Sequence, residues 1–230
     1  MRLAKRIAQL FPFSRRQAER LIIEERVSVN GQKISTPAYL VSCNDLIQVD
    51  QHQAPENEHP RLYCYHKPAG CLVTCDDPFG RPTIFQRMNS PIPVQRLLYV
   101  GRLDQDSEGL LMLTNAPAVA HQLQQPGLLR TYNVLIFGPV PEKFLMPLTR
   151  PMEVEGWHYP GCHLQKISRY KGDTWVTLSL NEGKKREIRQ RFKALGLPIK
   201  RLIRTEYGPF KLGLLQTRDW KEVSVDKMVN

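Results

Sequence analysis

No stretch of this 230-residue chain comes near the ~20 consecutive apolar residues that a membrane-spanning helix requires. The first six residues, Met1-Arg2-Leu3-Ala4-Lys5-Arg6, have no apolar core and no small-residue cleavage site, so they do not read as a secretory signal. No membrane partner is therefore expected. Cysteine is scarce and odd in number: Cys43, Cys64, Cys71, Cys75 and Cys162. A chain of this length buries a core without disulfide staples, so these read as reduced thiols in a cytoplasmic protein. Cys71 and Cys75 with Cys162 and His163 match no common zinc spacing, because the close pair is C-x3-C and its partners are distant. No metal is expected. There is no internal repeat and no long low-complexity tract. Acidic residues are also in short supply, with 22 Asp and Glu against 33 Lys and Arg, for a formal net charge of +11. An excess of that size points to a polyanionic partner, nucleic acid before an anionic membrane face. The alternative is a basic enzyme whose extra charge is only a solvated surface. With 41% hydrophobic and 24% charged residues the composition is that of a globular protein, which excludes collagen-like, coiled-coil or disordered descriptions of the whole chain.

What is present divides at a polar segment. Within residues 1–50, Leu3, Ile7, Ala8 and Leu10 are spaced for one helix face. Ser14 and Gln17 form a capping box for a second helix, whose buried stripe is Ala18, Leu21 and Ile22 and whose other side carries Arg15, Arg16, Arg20 and Arg26. Val27 to Ile34 reads as a hairpin turning at Asn30-Gly31, and Leu46 to Val49 as a closing strand. Residues 51–60 are polar with two prolines and read as a linker. Residues 61–230 mix strands and helices. Strands are expected at 62–66, 98–100, 110–114, 131–137, 164–167, 174–180 and 201–207. Helices are expected at 116–124, at 142–146 (stopped by Pro147) and at 184–195. The elements do not alternate regularly. The fold class is therefore α+β, a mixed and mostly antiparallel sheet behind a small N-terminal α/β unit.

Three stretches hold chemistry-bearing side chains. Residues 100–115 place a polar, glycine-bracketed loop between apolar strands, and Asp104 in it, near Arg102, is available as nucleophile, base or ligand. A turn aspartate capping its own loop is the simpler alternative. Residues 182–191 hold Lys184, Lys185, Arg186, Arg189 and Arg191 at the expected start of a helix, which suits phosphate contacts through side chains and free amides together. A solvated basic face is the alternative. Tyr132 opens an apolar strand, where its ring can stack on a nucleobase or sit in the core with its hydroxyl at the rim.

Together these segments resemble the ribosomal RNA pseudouridine synthases of the RsuA-like group, over nearly the whole chain. Residues 1–50 resemble the S-four RNA-binding domain. Tyr65-His66-Lys67-Pro68-Ala69-Gly70 is similar to the family's N/Y-K-P-x-G strand end. Gly101-Arg102-Leu103-Asp104, continuing to Gly109-Leu110-Leu111, matches G-R-L-D-x-x-(S/T)-x-G-L-L. Glu182-Gly183-Lys184 with Arg186-Glu187-Ile188-Arg189 matches E-G-(R/K)-x-(R/H)-x-(I/V)-(R/K). The resemblance implies an enzyme that breaks the uridine N1–C1′ bond, rotates the base and rejoins it through C5, with no cofactor. It implies Asp104 as nucleophile, toward ribose or base or as a ribose-proton acceptor, Tyr132 stacked on the uracil, and Arg189 paired with Asp104 to hold it as the anion. Arg102 would help seat the flipped nucleotide. Phosphate contacts would come from Arg15, Arg16, Arg20, Arg26, Lys67, Arg102, Lys184, Lys185 and Arg186.

The substrate expected from the resemblance is ribosomal RNA, bound by a monomer. Asp77-Pro78-x-Gly80-Arg81-Pro82-Thr83 resembles a segment of members acting on large-subunit rRNA, and Asp106-Ser107-Glu108-Gly109 resembles another large-subunit member. The small-subunit member tends to have Thr-Gly at the latter site and His-Gln at Arg186-Glu187. The 23S rRNA near the peptidyl-transferase region, or a large-subunit assembly intermediate, is thus favoured over 16S rRNA. A ribosome-associated RNA-binding factor without catalysis is the non-enzymatic alternative, against which Asp104, Tyr132 and Arg189 argue. A metal-dependent nuclease would need clustered carboxylates or histidines, which the sequence lacks.

Overall fold

A computed structural model of the chain describes residues 1–11, 13–42, 45–50, 52–53, 59–75, 77–88 and 97–228. The chain forms two compact units, one of residues 1–60, 91–98 and 115–117, the other of residues 61–90, 99–114 and 118–230.

In the smaller unit, α1 (Leu3–Leu10) and α2 (Arg15–Ile23) bury the stripes their spacing indicates, Leu3, Ala4 and Ile7 on one and Ala18, Leu21 and Ile22 on the other. Ser14 Oγ accepts from Gln17 N at 3.2 Å while Gln17 Oε1 accepts from Ser14 N at 2.8 Å, so the capping box is closed from both sides. A four-stranded antiparallel sheet of β1 (Val27–Val29), β2 (Gln32–Lys33), β3 (Ile47–Val49) and β4 (His52–Gln53) runs in the order β2-β1-β3-β4. The β1–β2 turn uses φ of +50° at Asn30 and +85° at Gly31, the left-handed pair that such a two-residue turn requires. Pairing of β4 with β3 carries this sheet into the segment read as a linker; residues 51 and 54–58 of that segment lie outside the described residues.

From Leu62 the chain runs through β5 (Leu62–Lys67), α3 (Ile84–Arg87), β6 (Leu98–Val100), β7 (Glu108–Thr114), α4 (Pro117–Leu123), β8 (Arg130–Ile136), β9 (Met152–Val154), β10 (Trp157–Tyr159), β11 (His163–Tyr170), β12 (Asp173–Leu180), α5 (Glu187–Ala194), β13 (Ile199–Tyr207), β14 (Phe210–Lys211) and β15 (Trp220–Val223). The large sheet has the order β11-β12-β8-β13-β7-β5-β15, with β14 on β13 and β6 on β7. Along that order neighbouring strands are antiparallel except where β13 runs parallel to β7, at Ile203 opposite Glu108 and Arg204 opposite Gly109. The fold is the expected α+β class. Leu110 to Thr114 and Val134 to Ile136 are buried, as strands at the middle of a covered sheet must be.

Two expected elements differ. The helix expected at 142–146 is two 3₁₀ turns, Glu142–Phe144 and Met146–Thr149, and Pro147 lies inside the second rather than ending the first. Proline is tolerated there because first-turn amides have no helical partner. The helix expected from 184 begins only at Glu187, because Arg186 adopts φ +53° and turns the chain first.

Candidate active site

A cleft of about 560 Å³ opens in the larger unit. The loop between β6 and β7 supplies Arg102, Asp104, Gln105 and Ser107 to it; β8 supplies Arg130 and Tyr132; the turn before α5 and its first residues supply Lys184, Lys185, Arg186 and Arg189. Asp104, Tyr132 and Arg189, which belong to three separate elements, therefore meet in one cavity. The cleft is cationic, which suits a phosphodiester chain.

The loop carrying Asp104 is anchored where the two central strands run parallel. Gly109 has φ +105° and faces Arg204 so closely that a Cβ on it would lie 2.2 Å from the Arg204 carbonyl oxygen, so no other residue fits. Gly101, at φ +64°, lies against the Tyr207 ring, 3.2 Å from where a Cβ would be. Arg204, 2% exposed, donates from Nε to Leu110 O at 2.8 Å and from Nη2 to Gly101 O at 3.2 Å, tying the two ends of the loop together. It also packs over Tyr207, and Arg130 over the same ring, at 5.0 and 5.1 Å from the centroid.

Lys67 does not reach the cleft as a phosphate contact. Its side chain is fully buried, and Nζ donates to Pro68 O at 2.9 Å, Gln105 O at 3.3 Å and Ser107 O at 2.8 Å. Burial pulls its ammonium below the usual lysine range. A cation whose donors are spent on the loop's carbonyls has none for RNA; Lys67 fixes the loop from within.

The charge pairing around Asp104 also differs from expectation. Arg186 Nη1 lies 3.8 Å from Asp104 Oδ2 and 3.4 Å from Asp106 Oδ1. Arg189 pairs instead with Asp106: Nη2 is 3.4 Å from Asp106 Oδ2, donates to Asp106 O at 3.0 Å and to Ser107 Oγ at 3.3 Å. Ser107 N donates to Asp104 O at 3.1 Å, a tight turn that sets Asp106 and Ser107 against Arg189. Burial disfavours the Asp106 anion, yet Arg189 and Arg186 outweigh it and hold the carboxyl below its ordinary range. Arg189 is itself drawn down by burial but stays charged, as arginine does. Its Nε is buried without a hydrogen-bond partner, a donor unused among the described residues.

The other expected phosphate ligands separate by exposure. Arg102, Lys185 and Arg186 are exposed at the cleft. Lys184 is half-buried: its Nζ donates to His158 O at 2.6 Å and pairs with Glu182 at 3.0 Å. Its amide, expected to be free for a phosphate, already donates to Glu187 Oε2 at 3.1 Å. Arg191 turns inward, paired with Glu187 at 2.7 Å, both side chains 2% exposed. In the smaller unit Arg15, Arg16 and Arg20 are exposed on α2, Arg20 lying 3.5 Å from Glu24. Arg26 is gripped by Asp50 through two bonds of 2.8 and 2.6 Å, so its charge is largely answered within the protein.

The sequence motifs do not point to Arg130 or Arg204. Arg204 shares the inward alternation of β13 with Leu202, both buried, so an arginine on the buried phase of a strand is the signal that could have found it.

The RNA pseudouridylate synthase family matches residues 61–194, and the S4 domain matches residues 1–47. An uncharacterized RNA pseudouridine synthase of Rickettsia typhi is 38% identical over 226 residues, 97% of this chain and 91% of that protein. The ribosomal large subunit pseudouridine synthase B of Pasteurella multocida is 34% identical over 233 residues, 97% and 67% of the two chains, and that of Salmonella typhi is 35% identical over 223 residues, 92% and 75%. A crystal structure of a pseudouridylate synthase superposes with a TM-score of 0.69 at 26% identity, covering 99% of each chain.

Proposed function

The chain belongs to the RNA pseudouridylate synthase family, and from that premise we propose that this RNA pseudouridine synthase acts on a uridine of large-subunit ribosomal RNA with Asp104 as its nucleophile. The reaction conserves atoms: the N1–C1′ bond breaks, the uracil turns, a C5–C1′ bond forms, and the C5 hydrogen leaves as a proton while N1 gains one. The observation that supports these roles best is the cleft itself, where Asp104, Tyr132 and a group of cations converge from separate chain segments. A uridine must leave its stack to reach a carboxylate in such a cavity, at a cost of a few kcal/mol. Phosphate contacts from Arg102, Lys185 and Arg186 offset that cost. Tyr132 takes the face of the uracil. Arg189 sets where Asp104 stands by holding the backbone of Asp106 and the hydroxyl of Ser107. The choice of the large subunit is supported by the Asp77–Thr83 and Asp106–Gly109 segments and by relatives named for that subunit.

The test is a single-nucleotide pseudouridine map of rRNA from cells with the protein, without it, and with Asp104→Asn in its place. One 23S position is expected to be unmodified without the protein, restored by the wild type and not by Asp104→Asn. A lost position in 16S rRNA would overturn the substrate. Purified Asp104→Asn within about tenfold of wild-type rate, a barrier change of only ~1.4 kcal/mol, would overturn the nucleophile.

A further inference from the structure

The cleft is bordered by residues 72–75 and 77–83, a segment whose ends are stapled. Leu72 and Thr83 form an isolated parallel bridge, Leu72 N donates to Pro82 O at 2.8 Å, and Ile84 N donates to Leu72 O at 2.9 Å. Thr83 then caps α3 through a closed capping box with Gln86. At the loop's tip, Gly80 N donates to Asp77 O at 3.1 Å with Gly80 at φ +68°, closing a turn. The Asp77 carboxylate accepts four hydrogen bonds: from Phe79 N at 3.2 Å, Arg81 N at 2.9 Å, Arg81 Nε at 3.1 Å and Arg81 Nη2 at 2.6 Å. The Asp77 carboxylate thus ties the amides of Phe79 and Arg81 and the Arg81 guanidinium together. What the turn displays is the Phe79 side chain, 81% exposed, with the Arg81 guanidinium 5.3 Å from its ring centroid.

A single exposed aromatic residue is unremarkable by itself. This one differs in two respects. Its backbone is fixed by that network of hydrogen bonds, so docking the ring against a partner orders little that is not already ordered. Its neighbours Asp77 and Arg81 both line the cationic cleft that holds Asp104. An aromatic face beside a guanidinium, at the edge of a basic groove, suits a nucleobase with its phosphate; stacking is indifferent to base identity and the cations answer the backbone. An acidic peptide would use the cations and leave the ring in water.

We propose that Phe79 is a nucleobase-stacking residue, taking the face of an unpaired base that flanks the target uridine as RNA enters the cleft. This rests on the reading that the cleft receives RNA. Asp77 is a positioning residue for it, acting through the turn.

The full-length wild type, Phe79→Ala and Phe79→Trp are assayed for release of the uridine C5 hydrogen from rRNA extracted from cells lacking the protein. Phe79→Ala is expected to raise KM roughly tenfold, the loss of one base stack, with kcat held within about twofold. Phe79→Trp is expected to keep the wild-type KM, and its indole emission, read above that of the three native tryptophans, to be quenched on adding the RNA. Unchanged KM in Phe79→Ala, an equal loss in kcat pointing to a folding role, or a Phe79→Trp emission that RNA does not move would each overturn the proposal. A wild type that binds the RNA but forms no pseudouridine would instead defeat the functional reading, and the quenching of Phe79→Trp would still decide the stacking.

Discussion

The two basic regions of the chain, α2 with Arg26 beyond it and the segment from Lys184 to Arg191, look alike as residue counts and differ in what their cations do. On α2, Arg15, Arg16 and Arg20 stand in solvent, and Arg26 is answered by Asp50. In the second segment the charges are graded with depth. Lys185 and Arg186 are exposed, Arg189 is mostly covered and turned onto the Asp106 backbone, and Arg191 is buried on Glu187. Exposed cations steer and bind a polyanion at a distance set by salt screening. Buried ones directed at the protein hold geometry. A net charge of +11 therefore overstates the cations available to RNA and understates those that shape the cleft.

The largest effect that would sharpen this contrast is at Arg189. If it works by holding the loop through Nη2, on Asp106 O and Ser107 Oγ together, where that nitrogen is placed matters more than the charge alone. Arg189→Met is then expected to lower kcat at least ~100-fold, the order of effect that a misplacement of about 1 Å produces. Arg189→Lys is expected to recover part of that and remain roughly tenfold impaired. Full activity in Arg189→Met, measured on rRNA at near-neutral pH, would remove Arg189 from the site and erase the distinction between the regions.

A smaller effect tests the other side. The double substitution of Arg15 and Arg16 by alanine is expected to weaken RNA binding and flatten its log–log salt slope by about 0.7–0.9 for each phosphate no longer neutralised, with kcat unchanged. Arg26→Ala is expected to leave the slope alone, because Asp50 already holds that guanidinium. Equal slopes for the double variant and the wild type would show that α2 is not a binding surface for this RNA. A slope change in Arg26→Ala would show that RNA displaces Asp50.

Local patterns make much of this fold legible. The capping box at Ser14, the Asn30-Gly31 turn and the strand at 62–66 depend on neighbours within a few residues and appear as read, whereas the strand expected at 164–167 runs twice as long, His163–Tyr170. The hairpin of β9 and β10 is not legible, although Glu155 and Gly156 both take positive φ, because prolines at 151 and 160 and three-residue strands leave too short a period to detect. At the site, Asp104 and Tyr132 come to the cleft as their motifs imply. Lys67 misleads because a lysine before a proline at a strand end looks exposed, while its carbonyl partners at Gln105 and Ser107 lie 38 and 40 positions away. The partner of Arg189 is Asp106 where the motif suggests Asp104. In an Asp-x-Asp pair, spacing does not tell which carboxylate faces a distant helix; the turn at Ser107 decides it.

The smallest effect concerns an ion pair that belongs to neither basic region. Hydrogen bonding from the Arg81 guanidinium holds the Asp77 carboxyl at about 2, below its ordinary 3.8, with the amides of Arg81 and Phe79 adding to it. A carboxyl depressed in the folded chain stabilises the fold above its unfolded value, and that contribution fades as pH falls from about 4 toward 2. Asp77→Asn removes the titrating group, so the urea midpoints of wild type and variant are expected to differ at pH 5 and to converge as the pH approaches 2. The difference should also shrink in high salt, since Arg81 is half-exposed and screening reaches such a pair. A gap between the two proteins that stays constant down to pH 2 would mean that Asp77 holds the turn by shape and hydrogen bonding alone. The Phe79 ring would then keep its place in acid. A gap that closes would show that the charge of Asp77, and not the shape of its side chain, is what it contributes to the stability of the turn.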